Sequence, residues 1–488
     1  MAIRSPDEFP PTKKVDRSER SAPPPTKSRL RVVVGSDTIV AVATPAGRGG
    51  IGIVRLSGPA AEGVARKFFR PKKPLPSPWP SLELVYGEFV YPDDGSVIDN
   101  GYAVRMAAPN SFTGEEVVEL HGHGSPVALQ RMVAVCISTG ARLAEPGEFT
   151  KRAFLHGKID LVQTEAVAEF IAAQSEAELA AARRRLDGKL SSRLHRLREE
   201  TISILAECEA DIDFPEEGLS LVTRPRLLNK FEEIQQVGKE IRATYESNQH
   251  LQTGFQVVLI GRPNVGKSSL FNALLSMDRA IVTEVAGTTR DILREEILLN
   301  GRRVRIVDTA GLRESTQDAI ERIGMDRTTQ EMKKADVVCL VCDSTAGFGL
   351  EDQRILDQWP DKEIWLVWNK VDLEMPSAPP ILRQRSFMVS ALRGDGVAEL
   401  QNAIGRRVVE LTTACSDGGI SNDRQRILMD HYLKALDQAE AEGRKGGSAE
   451  LVAFELRQAH RALSRIVGKD ESVEDILSEI FSRFCIGK

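Results

Sequence analysis

Gly261-Arg262-Pro263-Asn264-Val265-Gly266-Lys267-Ser268 follows directly on the apolar run Gln256-Val257-Val258-Leu259-Ile260. A strand that runs into a G-x-x-x-x-G-K-S loop and then a helix offers a phosphate chain backbone N–H groups, a helix N-terminus and one lysine. That is the chemistry of a nucleoside triphosphate site, with Asn264, Val265, Gly266, Lys267, Ser268 and Ser269 as its candidate residues. The base is read further along, where Asn369-Lys370-Val371-Asp372 follows Ile364-Trp365-Leu366-Val367-Trp368. Asp372 can accept hydrogen bonds from the N1–H and 2-amino groups of guanine, and adenine offers neither. The expected nucleotide is GTP.

Three further elements lie in the order such a site needs. Asp308-Thr309-Ala310-Gly311 follows the expected strand Val304-Arg305-Ile306-Val307, Gly287-Thr288-Thr289-Arg290-Asp291 lies in a loop, and Ser390-Ala391-Leu392 follows Phe387-Met388-Val389. Asp308 can reach a magnesium shell, the Gly311 N–H can meet the γ-phosphate, and a loop threonine can join Ser268 on the metal. Ser390-Ala391-Leu392 is the expected last guanine-contacting turn. Leu312 stands where many signalling GTPases place the glutamine that orients the attacking water, and leucine cannot hydrogen-bond a water. Glu314, Asp318 and Glu321 are the downstream candidates for that task, with solvated surface carboxylates as the plain alternative.

The elements that position these residues fill only part of the chain. Its 488 residues exceed a single hydrophobic core and imply about two to four domains. Residues 1–35 are rich in proline and in charges of both signs and read as a disordered tail; their acidic residues argue against a transit peptide. Residues 36–155 alternate short apolar runs with glycine-rich turns, and Val127 to Thr139 reads as a helix, so an α+β domain is expected. Residues 156–252 change to Ala, Glu, Leu and Arg, with Leu186, Leu190, Leu194, Leu197 and Leu205 on one helical stripe that stops near Asp213-Phe214-Pro215. The GTPase occupies 253–411, and helical texture returns in 412–488. The economical arrangement is one discontinuous α-helical domain with an α/β P-loop GTPase inserted in it.

Composition excludes several classes. A net charge of −5 and a pI of about 6.0 are not those of a polycationic nucleic-acid binder, so contact with RNA must be local or shared. Six scattered cysteines suit a reducing cytosol, and no apolar run approaches a membrane span. A soluble cytoplasmic protein is expected. Cys339 and Cys342 have C-x-x-C spacing but fall in a β-branched run, where residues three apart point to opposite faces and cannot share a metal. His121-Gly122-His123 reads as a glycine-rich turn. Cys485, four residues from the end, is a thiol that a nearby lysine can activate, although most such thiols do nothing.

Together these residues closely resemble the bacterial and organellar tRNA uridine 5-carboxymethylaminomethyl modification GTPase family, also called MnmE or TrmE. The resemblance runs from about Asp37 to Lys488. It rests on Thr44-Pro45 with Gly47-Arg48-Gly49-Gly50-Ile51-Gly52, Phe112-Thr113-Gly114-Glu115-Glu116, Pro146-Gly147-Glu148-Phe149, Ile212-Asp213-Phe214-Pro215 and the terminal Cys485-Ile486-Gly487-Lys488.

The resemblance implies an N-terminal domain that dimerises and binds a 5-formyltetrahydrofolate-type cofactor through Arg55, Glu119 and Lys158, with Lys488 approaching the same pocket. It implies hydrolysis stimulated by potassium held by Asn264 of the phosphate loop and by Thr283, Val285 and Thr288 of a second loop that also contains Glu284, Ala286 and Gly287. Ser268 and Thr289 would hold Mg2+. Glu321, anchored by Glu321-Arg322-Ile323-Gly324, would position water, although the segment from Gly311 is one residue longer than the family pattern. Cys485 would assist the chemistry. The homodimer would join an FAD-containing partner in a heterotetramer that modifies carbon 5 of the wobble uridine of certain tRNAs. A ribosome-assembly GTPase and a non-enzymatic GTP-dependent switch are the alternatives; neither accounts for the N-terminal domain together with the terminal tetrapeptide.

Overall fold

Apolar and polar residues alternate along the first strands, which gives their sheet two unlike faces. The computed structural model describes residues 37–213, 224–277, 293–309, 329–376, 385–412, 418–446 and 448–470, together with Ile480 and Gly487. Strands β1 (Ile39–Val42), β2 (Gly49–Ser57), β3 (Phe69–Pro71), β4 (Val85–Val90), β5 (Val97–Met106), β6 (Val117–Gly124) and β7 (Arg142–Leu143) form one sheet in the order β3-β4-β5-β6-β2-β1-β7. Only the β1–β7 pairing is parallel. Val54, Leu56, Val118 and Leu120 meet Phe68 of helix α1 (Ala61–Phe68) and Leu129 and Met132 of α2 (Pro126–Ser138) on one face. On the other face α3 (Glu148–Leu155) sets Phe149 against Ile39 and Ala41.

One local expectation is corrected here. His121-Gly122-His123 is not a turn but the continuation of β6, with His121 paired across from Ile53 and Tyr102. Gly122 serves close approach: a Cβ there would stand 2.6 Å from Asp99 Oδ2.

Helices α4 (Leu161–Ala172), α5 (Glu176–Leu186), α6 (Lys189–Asp213) and α7 (Arg224–Thr253) follow. Asp160 and Gln163 form a capping box on α4, and Ser175 caps α5. The leucine stripe is divided between two helices, because Gly188, at φ +80°, breaks the chain after Leu186. Leu190, Leu194 and Leu197 then run down α6 into the core, with Leu205 packed beside them.

The chain next builds a second sheet from β8 (Phe255–Ile260), β9 (Leu293–Leu299), β10 (Arg302–Asp308), β11 (Val337–Asp343), β12 (Ile364–Asn369) and β13 (Ser386–Met388). Its order is β13-β12-β11-β8-β10-β9, parallel except for β9. β8, β11 and β12 read as near-continuous apolar runs because both faces of this sheet are covered. Its helices are α8 (Lys267–Met277), α9 (Leu350–Gln358) and α10 (Val397–Thr412). Cys339 and Cys342 lie in the cores on opposite sides of β11, so they share no site; burial pushes both thiols up to about 12.

Two helices close the described chain, α11 (Asp423–Lys445) and α12 (Ala449–Val467). Leu428, Tyr432, Leu456 and Leu463 from them share one core with Leu190, Leu194 and Ile234. The helices before and after the second sheet therefore make a single domain into which that sheet and its helices are inserted. No helix among the described residues is long and apolar enough to cross a membrane.

Candidate functional site

The phosphate loop is shaped by contacts that exclude side chains. At Gly261, φ is +147° and a Cβ would stand 2.2 Å from the Val341 carbonyl oxygen. At Gly266, φ is +91° and a Cβ would stand 2.2 Å from Asn369 Nδ2. α8 starts at Lys267, so its first N–H groups and the positive end of its dipole face the loop. Lys267 Nζ donates to the carbonyls of Gly261 (3.1 Å) and Arg262 (2.9 Å), and Ser268 Oγ donates to Asp308 Oδ2 at 2.6 Å. Asp308 is fully buried at the end of β10, and Thr309 Oγ1 donates to the Leu259 carbonyl.

The guanine-side residues are tied to that loop. Asn369 Nδ2 donates to the Val265 carbonyl at 2.9 Å, while its Oδ1 accepts from Ala391 N at 3.0 Å. One buried amide thus joins the end of β12, the phosphate loop and the Ser390-Ala391-Leu392 turn. Lys370, at φ +64°, reaches the Asn264 carbonyl at 2.9 Å and Asp343 at 2.7 Å. Burial by itself would raise the Asp343 carboxyl, but hydrogen bonds from Lys370 and Thr345 outweigh it and hold the carboxyl below its ordinary value. Val371 and Asp372 are half-buried, Ser390 is buried and Leu392 is exposed. Ser269 and Asn272 face Ala391, Leu392 and Gly394 across a cleft of about 580 Å³. These groups lie at the carboxyl ends of parallel strands, where open α/β sheets bind ligands. Sequence reasoning missed Asp343; its position at the end of an apolar strand was the available signal.

Of the remaining candidates, Thr283, Glu284, Val285, Ala286, Gly287, Thr288, Thr289, Ala310, Gly311, Glu321, Cys485 and Lys488 lie outside the described residues, as does the 1–35 tail.

A second group forms on the less covered face of the first sheet. Arg55 and Glu119 are direct cross-strand partners on β2 and β6, and their side chains pair at 2.7 Å. His121, two residues along β6 on the same face, holds the other Glu119 oxygen at 3.1 Å. Tyr102, opposite His121, packs on Tyr86 with ring centroids 5.3 Å apart. Lys158 donates to the Pro109 carbonyl at 3.0 Å. Sequence reasoning missed His121 because it read a turn. Gly487, at φ +98°, packs on the end of β1, where a Cβ would stand 2.1 Å from the Val42 carbonyl. Val42 adjoins Ala41, the cross-strand partner of Arg55.

The His121 hydrogen bond, opposed by burial and reinforced by Arg55, holds the Glu119 carboxyl below its ordinary value. A carboxyl lowered on folding stabilises above the unfolded value and loses that contribution as pH falls through the folded one. The difference in melting temperature between wild type and Glu119→Gln is therefore expected to be steady near neutrality and to shrink below about pH 4. Calorimetric scans from neutral to acid pH check this, and a difference that stays constant contradicts it.

A family model described as the GTP-binding protein TrmE N-terminus matches residues 38–158, and one described as the MnmE helical domain matches 161–485. The tRNA modification GTPase MnmE of Aquifex aeolicus is 41% identical over 456 residues, 93% of this chain and 100% of that protein. This chain belongs to the MnmE family. The MnmE protein of Heliobacterium modesticaldum is 42% identical over 93% of this chain and 99% of its own. The two MnmE family models meet at the capped start of α4, and the second spans the inserted GTPase. The solved G domain of FeoB from Methanococcus jannaschii is 28% identical over 32% of this chain and 97% of that one, at a TM-score of 0.24.

Proposed function

We propose that this protein couples GTP hydrolysis to tRNA modification, adding an aminomethyl or carboxymethylaminomethyl group at carbon 5 of the wobble uridine from a folate one-carbon unit. It acts in the cytoplasm as a homodimer, with an FAD-containing partner in a heterotetramer and tRNA as substrate. The observation that carries the reading is the seat of Gly487 beside the strands that hold Arg55 and Glu119. In this reading Cys485 and Lys488, neighbours of Gly487 in sequence, serve the same pocket as Arg55 and Glu119.

The described residues suit the groups the reading requires. Ser268 Oγ and the Asp308 carboxylate, 2.6 Å apart, are hard oxygen donors suited to Mg2+, which Ser268 and Thr289 would hold. Asn264, Thr283, Val285 and Thr288 would hold K+, which supplies positive charge near the phosphates when bound. Arg55, Glu119 and Lys158 offer charges of both signs to the carboxylates and ring edge of 5-formyltetrahydrofolate. In hydrolysis Lys267 and the loop amides bind the phosphates, Asp372 orients guanine, and Glu321 orients water, a task the apolar Leu312 cannot perform.

The test is mass spectrometry of tRNA nucleosides from a strain lacking the gene, complemented with wild type or Cys485→Ser. Loss of the 5-substituted wobble uridine, restored by wild type and not by the variant, is expected. An unchanged profile in the deletion strain overturns the reading and favours a ribosome-assembly GTPase or a non-enzymatic switch.

A further inference from the structure

β10 has the nucleotide site at one end and the helical domain at the other. Its last residue is Asp308, bonded to Ser268. Its first two residues, Arg302 and Arg303, grip the two places where the chain crosses between domains. Arg303 donates to the carbonyl of Gln252, at the end of α7, and Arg302 Nε donates to Thr412 Oγ1 at 2.5 Å, at the end of α10. Arg303 Nε also donates to Glu178 Oε1 of α5 at 2.6 Å. That carboxylate is only 9% exposed and also accepts from Ser175 Oγ and Gln174 N at the start of α5. A further bond runs from Ala177 N to the carbonyl of Gly301 in the β9–β10 turn.

This geometry transmits force. A seven-residue strand is about 20 Å of nearly inextensible backbone, held here by hydrogen-bonded neighbours on both sides. A displacement at Asp308 must reappear at Arg302 and Arg303 unless the strand slips in its register. At that end the Arg303 guanidinium ties both sides at once: Nη1 donates to Gln174 Oε1 of the helical domain at 2.7 Å and, more weakly, to Glu296 Oε2 of its own hairpin at 3.4 Å. An arginine bonded at once to Glu178 of the helical domain and to Glu296 of its own hairpin can give up one of these bonds and tighten the other, which is the kind of bistable element that coupling between distant sites uses.

We propose that Arg303 and Glu178 form the joint through which the nucleotide state at Asp308 reaches the helical domain. Arg303 is a positioning residue that acts on α5 through Glu178, and Arg302 holds the second crossing in place. The proposal needs only the nucleotide site and is independent of any tRNA chemistry.

The experiment is hydrogen exchange on the full-length chain, comparing GDP with a non-hydrolysable GTP analogue and following the peptide that covers 174–182. Wild type is expected to exchange differently in the two states. Arg303→Gln and Glu178→Gln should each lose at least about half of that difference while the nucleotide dissociation constant stays within about threefold. Arg303→Lys, which keeps the charge, should retain more of the difference than Arg303→Gln. A merely structural contact would alter exchange equally with either nucleotide. An insensitive wild-type peptide, or single variants with the full difference, overturns the proposal. Should Arg303→Gln fail to fold, Glu178→Gln, which keeps the shape of the carboxyl group, decides the matter alone.

Discussion

Gly266→Ala is expected to remove tight guanine-nucleotide binding while the N-terminal and helical cores stay folded. Two effects act together at this position. A non-glycine residue at φ +91° carries strain of about 1–3 kcal/mol. The added methyl would also stand 2.2 Å from Asn369 Nδ2, well inside van der Waals contact. Asn369 cannot yield cheaply, because its amide joins the Val265 carbonyl to the Ala391 N–H. Relief must therefore move the Gly261–Ser268 loop or the Ser390-Ala391-Leu392 turn, the two segments proposed to bind the nucleotide. A loss of at least about 100-fold in affinity, near 3 kcal/mol, is expected. Titration with a fluorescent guanine nucleotide checks the binding, and calorimetry checks the cores. An alanine variant that binds within about threefold of wild type would show that the loop relaxes without cost.

Asp372→Asn should exchange the preferred base. A carboxylate accepts from both N1–H and the 2-amino group of guanine, and charge-assisted bonds of this kind contribute about 1.5–3 kcal/mol each. Asparagine presents one acceptor and one donor, which clash with guanine's two donors but match the N1–H and C2 carbonyl of xanthine. GTP affinity should fall by about 100-fold or more, while XTP affinity rises above that of wild type. Competition binding with both nucleotides measures the switch. Should neither affinity change, guanine is read by residues other than Asp372.

The sequence alone determined the nucleotide chemistry and the order of the domains. A phosphate loop is a contiguous string whose function depends on backbone shape, so its glycines and lysine are legible in one dimension. The same holds for Asp308 and for Asn369 to Asp372, which lie at the ends of apolar runs and so at the carboxyl edge of a parallel sheet. The paired helical stretches on either side of the GTPase announced an inserted domain, and strand periodicity separated Cys339 from Cys342 before their cores were seen.

Tertiary structure decided what depends on partners distant along the chain. The glycine in His121-Gly122-His123 looks like a turn until Asp99, 23 residues earlier, is found against it, and only the continuation of β6 through this segment puts His121 on the same face as Glu119. Asn369 as the bridge between the Gly261–Ser268 loop and the Ser390-Ala391-Leu392 turn, Asp343 under Lys370, and Gly487 on β1 have no local signature. Arg303 is the clearest case. In sequence it is one of three arginines on a strand, and only the fold brings it to Glu178, 125 residues away, and to the Gln252 carbonyl. Periodicity and motif spacing encode which elements form and which face is apolar, whereas a hydrogen bond between elements is set by how the finished layers pack.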